Sequence, residues 1–252
     1  MSLIVSAFDP PSLTFFGDSS SRDRTYMVAG GFAVRGTRIA EVRTRIDRIR
    51  NDVGMASEFH WSEYRGGDRK EAYEALVRYA FELVKSRQAA LHIIIAKFKG
   101  YAHKAKPGDT KDTSINRMYY QLLLHRVARF YGPHCAIRVR LDSGADCKDI
   151  CALRGAVCAD AYKTYRTRPN CIRAIEPVCS SRANIVQMAD VVLGAVAARR
   201  NNISYAKPAK AELAAYVQEQ AGHSDWAIST PPSARFLTVW NHETKGDGSP
   251  RL

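Results

Sequence analysis

Apolar and polar positions along this chain alternate with two different periods, and each change of period marks a boundary between elements. Residues 13–17 form a short apolar run that reads as a strand, and residues 26–34 (YMVAGGFAV) read as a second, with Gly30-Gly31 as a bulge or a point of close backbone approach. The polar stretch 18–25 would join them as a hairpin loop. Thr37 is placed to cap an arginine-rich helix running to about residue 50, with Ile39, Val42, Ile46 and Ile49 at helical spacing. A second helix is predicted over 68–85 from the stripe Ala72, Leu76, Tyr79, Ala80 and Leu83. The β-branched run 91–98 (LHIIIAKF) reads as a central strand.

The second half repeats the alternation. Residues 115–130 predict a helix stopped by Gly132-Pro133, followed by a strand over 135–141. In that strand Ile137, Val139 and Leu141 point one way while Arg138, Arg140 and Asp142 point the other, so one face is not packed under apolar residues. A helix opening at Ala145 or Asp146 and ending near Tyr165, a strand over 172–178, a helix over 183–199, a helix over 209–220 and a short strand over 236–240 complete the pattern. Strands alternating with helices after an opening hairpin predict an α/β sheet of mixed strand direction. No composition shift marks a linker, so residues 1–242 read as one domain and residues 243–252 as a disordered tail.

Charge narrows the choice of partner. Lys and Arg number 38 against 25 Asp and Glu, a formal charge of +13, with a pI near 9.6. The excess favours a polyanionic partner, although spread along the chain it is also the pattern of a solvated cationic surface. The absence of a signal-peptide pattern and of an apolar run of roughly 20 residues argues against a membrane span and for a cytoplasmic protein. The six cysteines contain no C-x-x-C pair, so they read as small reduced hydrophobes and not as a zinc site.

Against this background four polar clusters interrupt apolar stretches: Gly17-Asp18-Ser19-Ser20, Glu58-Phe59-His60-Trp61, Leu141-Asp142-Ser143-Gly144 and Gln187-Met188-Ala189-Asp190. Taken singly, Asp18 and Asp142 fit turn residues, and Asp190 fits a structural or solvated helix position. Taken together, two strands ending in Asp can bring both carboxylates to the crevice outside the carboxyl ends of a sheet. Asp190 lies with Gln187 on a stripe of small residues, Ala183, Gly194 and Ala197, that allows close approach to another element. Converging acids need a countercharge, and oxygen-only ligands select magnesium or manganese over zinc. Glu58 and His60, two residues apart in an extended segment, share a face; Glu58 could complete a metal shell and His60 could relay a proton.

The order of these motifs, from Asp18-Ser19-Ser20 and YMVAGGFAV through Glu58-x-His60, Leu141-Asp142-Ser143 and Gln187-x-Ala189-Asp190 to Phe236-Leu237-Thr238-Val239-Trp240, resembles domain-of-unknown-function family 3800 over nearly the whole chain. That family commonly carries an acid directly after its first Asp, where this chain has Ser19. The resemblance implies a ribonuclease-H-like mixed β-sheet with helices on both faces and an acidic two-metal site. By motif, Asp18 would be the acid of the first strand, Asp142 that of the fourth and Asp190 that of the late helix, with Glu58, His60 and Gln187 as the remaining site residues. The implied activity is a Mg2+- or Mn2+-dependent nuclease or phosphodiesterase acting on DNA or RNA, its ions roughly 4 Å apart and held by Asp18, Glu58, Asp142 and Asp190. From another class, a non-catalytic nucleic-acid-binding or protein-interaction module on the same fold would share these features.

Overall fold

The computed structural model describes residues 10–101, 103, 110–143 and 150–243. Six strands form one sheet in the order β5-β4-β1-β2-β3-β6: β1 Ser12–Ser20, β2 Tyr26–Arg35, β3 Ala89–Lys97, β4 Ala136–Asp142, β5 Ile172–Val178 and β6 Leu237–His242. β2 runs antiparallel to β1 and β3, while β4, β5 and β6 join in parallel, so five of the six carboxyl ends open on one edge of the sheet. The helices are α1 Ile39–Asp52, α2 Lys70–Lys85, α3 Lys111–Leu122, α4 Arg129–Tyr131, α5 Leu153–Tyr165, α6 Asn184–Arg200 and α7 Ala209–Ala221. They cover both faces, as expected from the alternating pattern. Phe16, Val28, Phe32, Leu91, Ile93 and Ile95 pack on one face against α1, α2, α6 and α7. Phe15, Met27, Ala29, Ile94, Val139 and Leu141 pack on the other against α3 and α5. No helix among the described residues is long and apolar enough to cross a membrane.

The register explains the sheet's most restrictive position. Gly31 pairs with Gly17 on one side and His92 on the other. A Cβ at Gly31 would lie 2.1 Å from the Phe16 carbonyl oxygen and 2.6 Å from Gly17 Cα. Neither contact is with a movable side chain, so the β1–β2 hairpin closes only with glycine there.

Three elements differ from the sequence reading. β1 continues through Asp18 to Ser20, because Ser19 and Ser20 ladder onto Ala29 and Val28; Asp18 therefore sits inside the strand and not in a loop. Thr37 caps nothing, since the chain leaves β2 through the 3-10 turn Gly36–Arg38 and α1 begins without a side-chain cap. The helix expected over 115–130 starts earlier, at a capping box in which Thr110 and Thr113 each accept the other's backbone N–H at 3.2 Å. It then widens to a π segment over Leu123–Ala128. The start of the helix expected at residues 145–146, and the tail after 243, lie outside the described residues.

Gly31→Ala is expected to destabilise the protein by about 3 kcal/mol, read as a lower urea midpoint; a midpoint equal to wild type would show that the sheet can open at this point.

Candidate active site

α6 is the helix on which the site is built. It crosses β1 and β2 and is buried on every side from Asn184 to Ala198 except at Asp190. A helix apolar all round belongs in the interior, so the polar groups it carries must be satisfied there. Gln187 does this with four partners. Its Oε1 accepts from the Phe59 N–H at 3.2 Å and Arg50 Nη2 at 3.4 Å, and its Nε2 donates to the Ser180 carbonyl at 2.8 Å and Glu58 Oε2 at 3.4 Å. Three positions further along, Asp190 Oδ2 accepts the Trp61 N–H at 2.7 Å. Gln187 and Asp190 thus grip the segment Glu58–Trp61 through its backbone.

The small-residue stripe makes this grip possible. A Cβ on Gly194, one turn beyond Asp190, would lie 2.2 Å from Trp61 Cγ. The indole therefore occupies the space of the missing side chain, and the backbone N–H of Trp61 reaches Asp190. Tyr73 clamps the segment from α2: the His60 N–H donates to its hydroxyl at 3.0 Å, and the hydroxyl donates to the His60 carbonyl at 3.1 Å.

Asp18 and Asp142 come to the same place from the sheet. Asp18 shares the face of Phe16, which packs toward α6, and Asp142 shares the open face of Arg138 and Arg140. β1 and β4 are paired through Gly17 and Leu141, so the two acids stand side by side one step further on. Asp18 is 7% exposed, and the Asp190 side chain 16%.

The electrostatics record this convergence. Burial raises the Asp18 carboxyl well above its ordinary range, and the nearby charges of Asp190 and then Asp142 raise it further; the Ser19 N–H, 2.6 Å from Oδ1, and Arg22 oppose the rise. Asp190 is also raised, first by burial and also by Asp142, against the opposing effects of His60, the Trp61 N–H and a hydrogen bond from Asp18. Both carboxyls are thus raised in the same direction, the usual response of neighbouring acids whose joint ionisation is opposed by burial and mutual repulsion.

His60 Nδ1 lies 3.4 Å from Asp190 Oδ2 and accepts the Ser62 N–H at 3.1 Å. A nitrogen that accepts cannot also donate, so in the neutral ring the proton rests on Nε2. Protonating the ring would exchange the Ser62 bond for an ion pair with Asp190.

Five of the six residues singled out in the sequence meet in this region as a connected set: Asp18, Asp142 and Asp190 by mutual charge, His60 by contact with Asp190, and Gln187 by holding the segment that carries His60. Glu58 is turned toward Gln187, and it is not among the main influences on Asp18 or Asp190. Among the described residues, no three His, Cys, Asp or Glu side chains stand in a finished metal-binding arrangement. The donor chemistry does fit a hard cation: the acids supply oxygen only.

Residues that sequence reasoning missed are Trp61, Tyr73, Arg22 and Lys210. Lys210 Nζ donates to the Ser62 carbonyl at 2.9 Å, lies over the Trp61 and Tyr205 rings, and feels the charge of Asp190. With Tyr64, Arg65, Tyr205 and Lys207 it lines a cavity of about 430 Å³ beside the acids. Only the aromatic and basic composition of residues 58–65 and 205–210 hinted at this wall.

No family model matches the chain, and no curated protein matches it. Among solved structures, a chain of the PCNA:RNase HII complex from Archaeoglobus fulgidus is similar over 92% of this chain and 97% of that one, at 12% identity and a TM-score of 0.41.

Two outcomes test this geometry. A carboxyl raised on folding carries no penalty below its ordinary value of 3.8, where it is protonated in both states. Above that value the unfolded chain ionises first, and the folded state loses stability up to its own higher pKa. Asp18→Asn should therefore raise Tm in chelator at neutral pH, with a gain of about 2–4 °C per kcal/mol relieved, and the gain should vanish near pH 3; an equal or lower Tm at pH 7 would contradict mutual repulsion. Gly194→Ala should cost about 1–3 kcal/mol and alter tryptophan emission as Trp61 is displaced, whereas unchanged stability and emission would show that the indole is not seated there.

Proposed function

We propose that the chain is a divalent-metal-dependent nuclease or related phosphodiesterase of ribonuclease-H-like type, within the family that its motifs resemble. The observation that carries this reading is the buried pair Asp18 and Asp190, raised by burial and by Asp142 at the carboxyl ends of β1 and β4. Asp18, Asp142 and Asp190 would hold Mg2+ or Mn2+, with Glu58 available if its weak bond to Gln187 is given up. Bound there, such ions lower the pKa of a water nucleophile and neutralise charge on the scissile phosphate.

The chain's own groups supply the rest. His60, as an imidazolium with Asp190 beside Nδ1 to stabilise its charge, would be placed to transfer its Nε2 proton to a leaving oxygen and be left as the neutral ring. Gln187 and Tyr73 fix the backbone that carries it. Lys210, Arg65 and Lys207 on one side, and Arg22 on the other, offer cations to a phosphodiester backbone running past the acids. The face of β4 and β5 bearing Arg138 and Arg140 continues that track, Arg138 being exposed and Arg140 pairing with Glu176 at 3.5 Å. One observation favours the non-catalytic reading: among the described residues no finished metal arrangement is in place. The two readings differ in the effect of removing an acid, which abolishes turnover in an enzyme but strengthens binding along a phosphate track.

The deciding experiment incubates mixed DNA and RNA substrates with Mg2+, Mn2+ or chelator. Cleavage is expected only with metal, and Asp18→Asn or Asp190→Asn should each lower it by about two orders of magnitude or more. Cleavage that survives chelator, or that either variant leaves intact, would remove the proposal; absent cleavage with tighter binding by the variants would establish the binding module.

A further inference from the structure

The terminal motif ending in Trp240 takes no part in the acidic site. β6 adds to the outer side of β3, where Trp240 pairs with Ile94 and packs on the sheet face opposite α6. There the π segment Leu123–Ala128 and the end of β6 enclose a cleft of about 770 Å³, lined by Tyr120, His125, Arg126, Arg129, Trp240 and Asn241 among others. The volume lies in the range of small-ligand sites, roughly 300–1,000 Å³. The wide turn buries Leu123, Leu124, Val127 and Ala128 while leaving His125 and Arg126 half-buried at the cleft. Such π turns are frequent at functional sites.

The charge in this cleft is unbalanced. Arg126 feels Arg129 and Arg235, and burial followed by those neighbours pushes its guanidinium below its ordinary pKa. Among the described residues none of the three forms an ion pair. Arg126 Nη1 donates to the His125 carbonyl at 3.0 Å, and Arg235 Nη1 donates to the Pro232 and Ala234 carbonyls at 2.8 and 3.0 Å. Their other contacts are with rings: Arg126 lies 4.8 Å over Trp240, Arg129 5.3 Å over Tyr165, and Arg235 4.5 Å over Phe130. A half-buried cation without a carboxylate, Arg126, flanked by the exposed Arg129 and Arg235, calls for an anion from outside. The walls call for a flat apolar group: His125, bonded to the Tyr165 hydroxyl and pushed by burial down to about 4, is an uncharged ring at neutral pH, edge-on to Trp240 with centroids 5.5 Å apart.

From the arginine cluster and the ring-lined cleft together, we propose that this is a nucleotide-binding site, distinct from the acidic site, that takes a phosphate on Arg126 and Arg129 and a base against Tyr120, His125 and Trp240. The shared chemistry is a phosphate ester bearing one unstacked base, either a free nucleotide or the end of a single strand. Aromatic and guanidinium planes hold such bases without a metal. The site does not depend on the nuclease reading.

The test is calorimetric titration of the whole chain in chelator with AMP, adenosine, inorganic phosphate and a 5′-phosphorylated trinucleotide. AMP, the trinucleotide or both should bind at one site, more tightly than adenosine or phosphate; binding of AMP identifies a free nucleotide as sufficient, and binding of the trinucleotide alone identifies the strand end. Arg129→Gln, at an exposed position, and Trp240→Phe, which keeps an aromatic ring, should each weaken binding tenfold or more, whereas Asp18→Asn should leave it unchanged. Absence of binding by both nucleotides, phosphate binding as tight as AMP, indifference to Arg129→Gln, or loss in Asp18→Asn would each overturn the proposal.

Discussion

Three carboxylates brought against one another at the carboxyl ends of β1 and β4 and on the buried helix α6 are the constraint around which the rest of this protein is arranged. Like charges in a poorly hydrated crevice repel strongly, and an isolated buried carboxylate costs several kcal/mol. The chain has three means of tolerating them: the Ser19 N–H on Asp18, the Trp61 N–H on Asp190, and a hydrogen bond between Asp18 and Asp190. None of these supplies a full positive charge. His60 and Arg22 lie within electrostatic reach, and His60 is spoken for by Ser62 while neutral. In the proposed reading a cation from solution supplies the countercharge, which would link the fold to metal-assisted chemistry.

Rigidity around the acids follows from how the segment Glu58–Trp61 is fixed. It is irregular backbone, yet Phe59 is fully buried and Trp61 nearly so, and its backbone N–H groups at 59, 60 and 61 go to Gln187, Tyr73 and Asp190 in turn. Three consecutive donors bound by α6 and α2 leave little freedom for His60. Gly194 is the permissive element, because the indole of Trp61 occupies the place its Cβ would take. The opposite face of the sheet has another character, with cations balanced against aromatic rings and not against acids. A net charge of +13 is thus not an even coating: part of it lines the approach to the acids and part is gathered near β6.

Much of this was legible in the sequence, for physical reasons that differ by residue. The alternation of Ile137, Val139 and Leu141 with Arg138, Arg140 and Asp142 told correctly which side of β4 is open, because a strand's period of two leaves no other option when one face is buried. The small stripe on α6 correctly implied close approach, and Gly194 under Trp61 is that approach. The extent of β1 was misjudged because Ser and Asp favour turns locally, and only pairing with β2 keeps Asp18 to Ser20 extended. Thr37 failed as a cap because the chain turns tightly straight out of β2. The π segment, the Tyr73 clamp and the neighbourhood of Glu58 depend on contacts distant in sequence that leave no local pattern.

Binding of Mn2+ to the metal-free protein, followed by the electron paramagnetic resonance signal of the free ion at neutral pH, bears most directly on the role of the acidic crevice. The expected result is saturable uptake by the wild-type chain that falls by about tenfold or more in affinity when Asp18 or Asp190 becomes Asn. Uptake that is equally tight in both variants, or none in the wild type at millimolar ion, would show that the buried charge is met in some other way and that the crevice is not a metal centre.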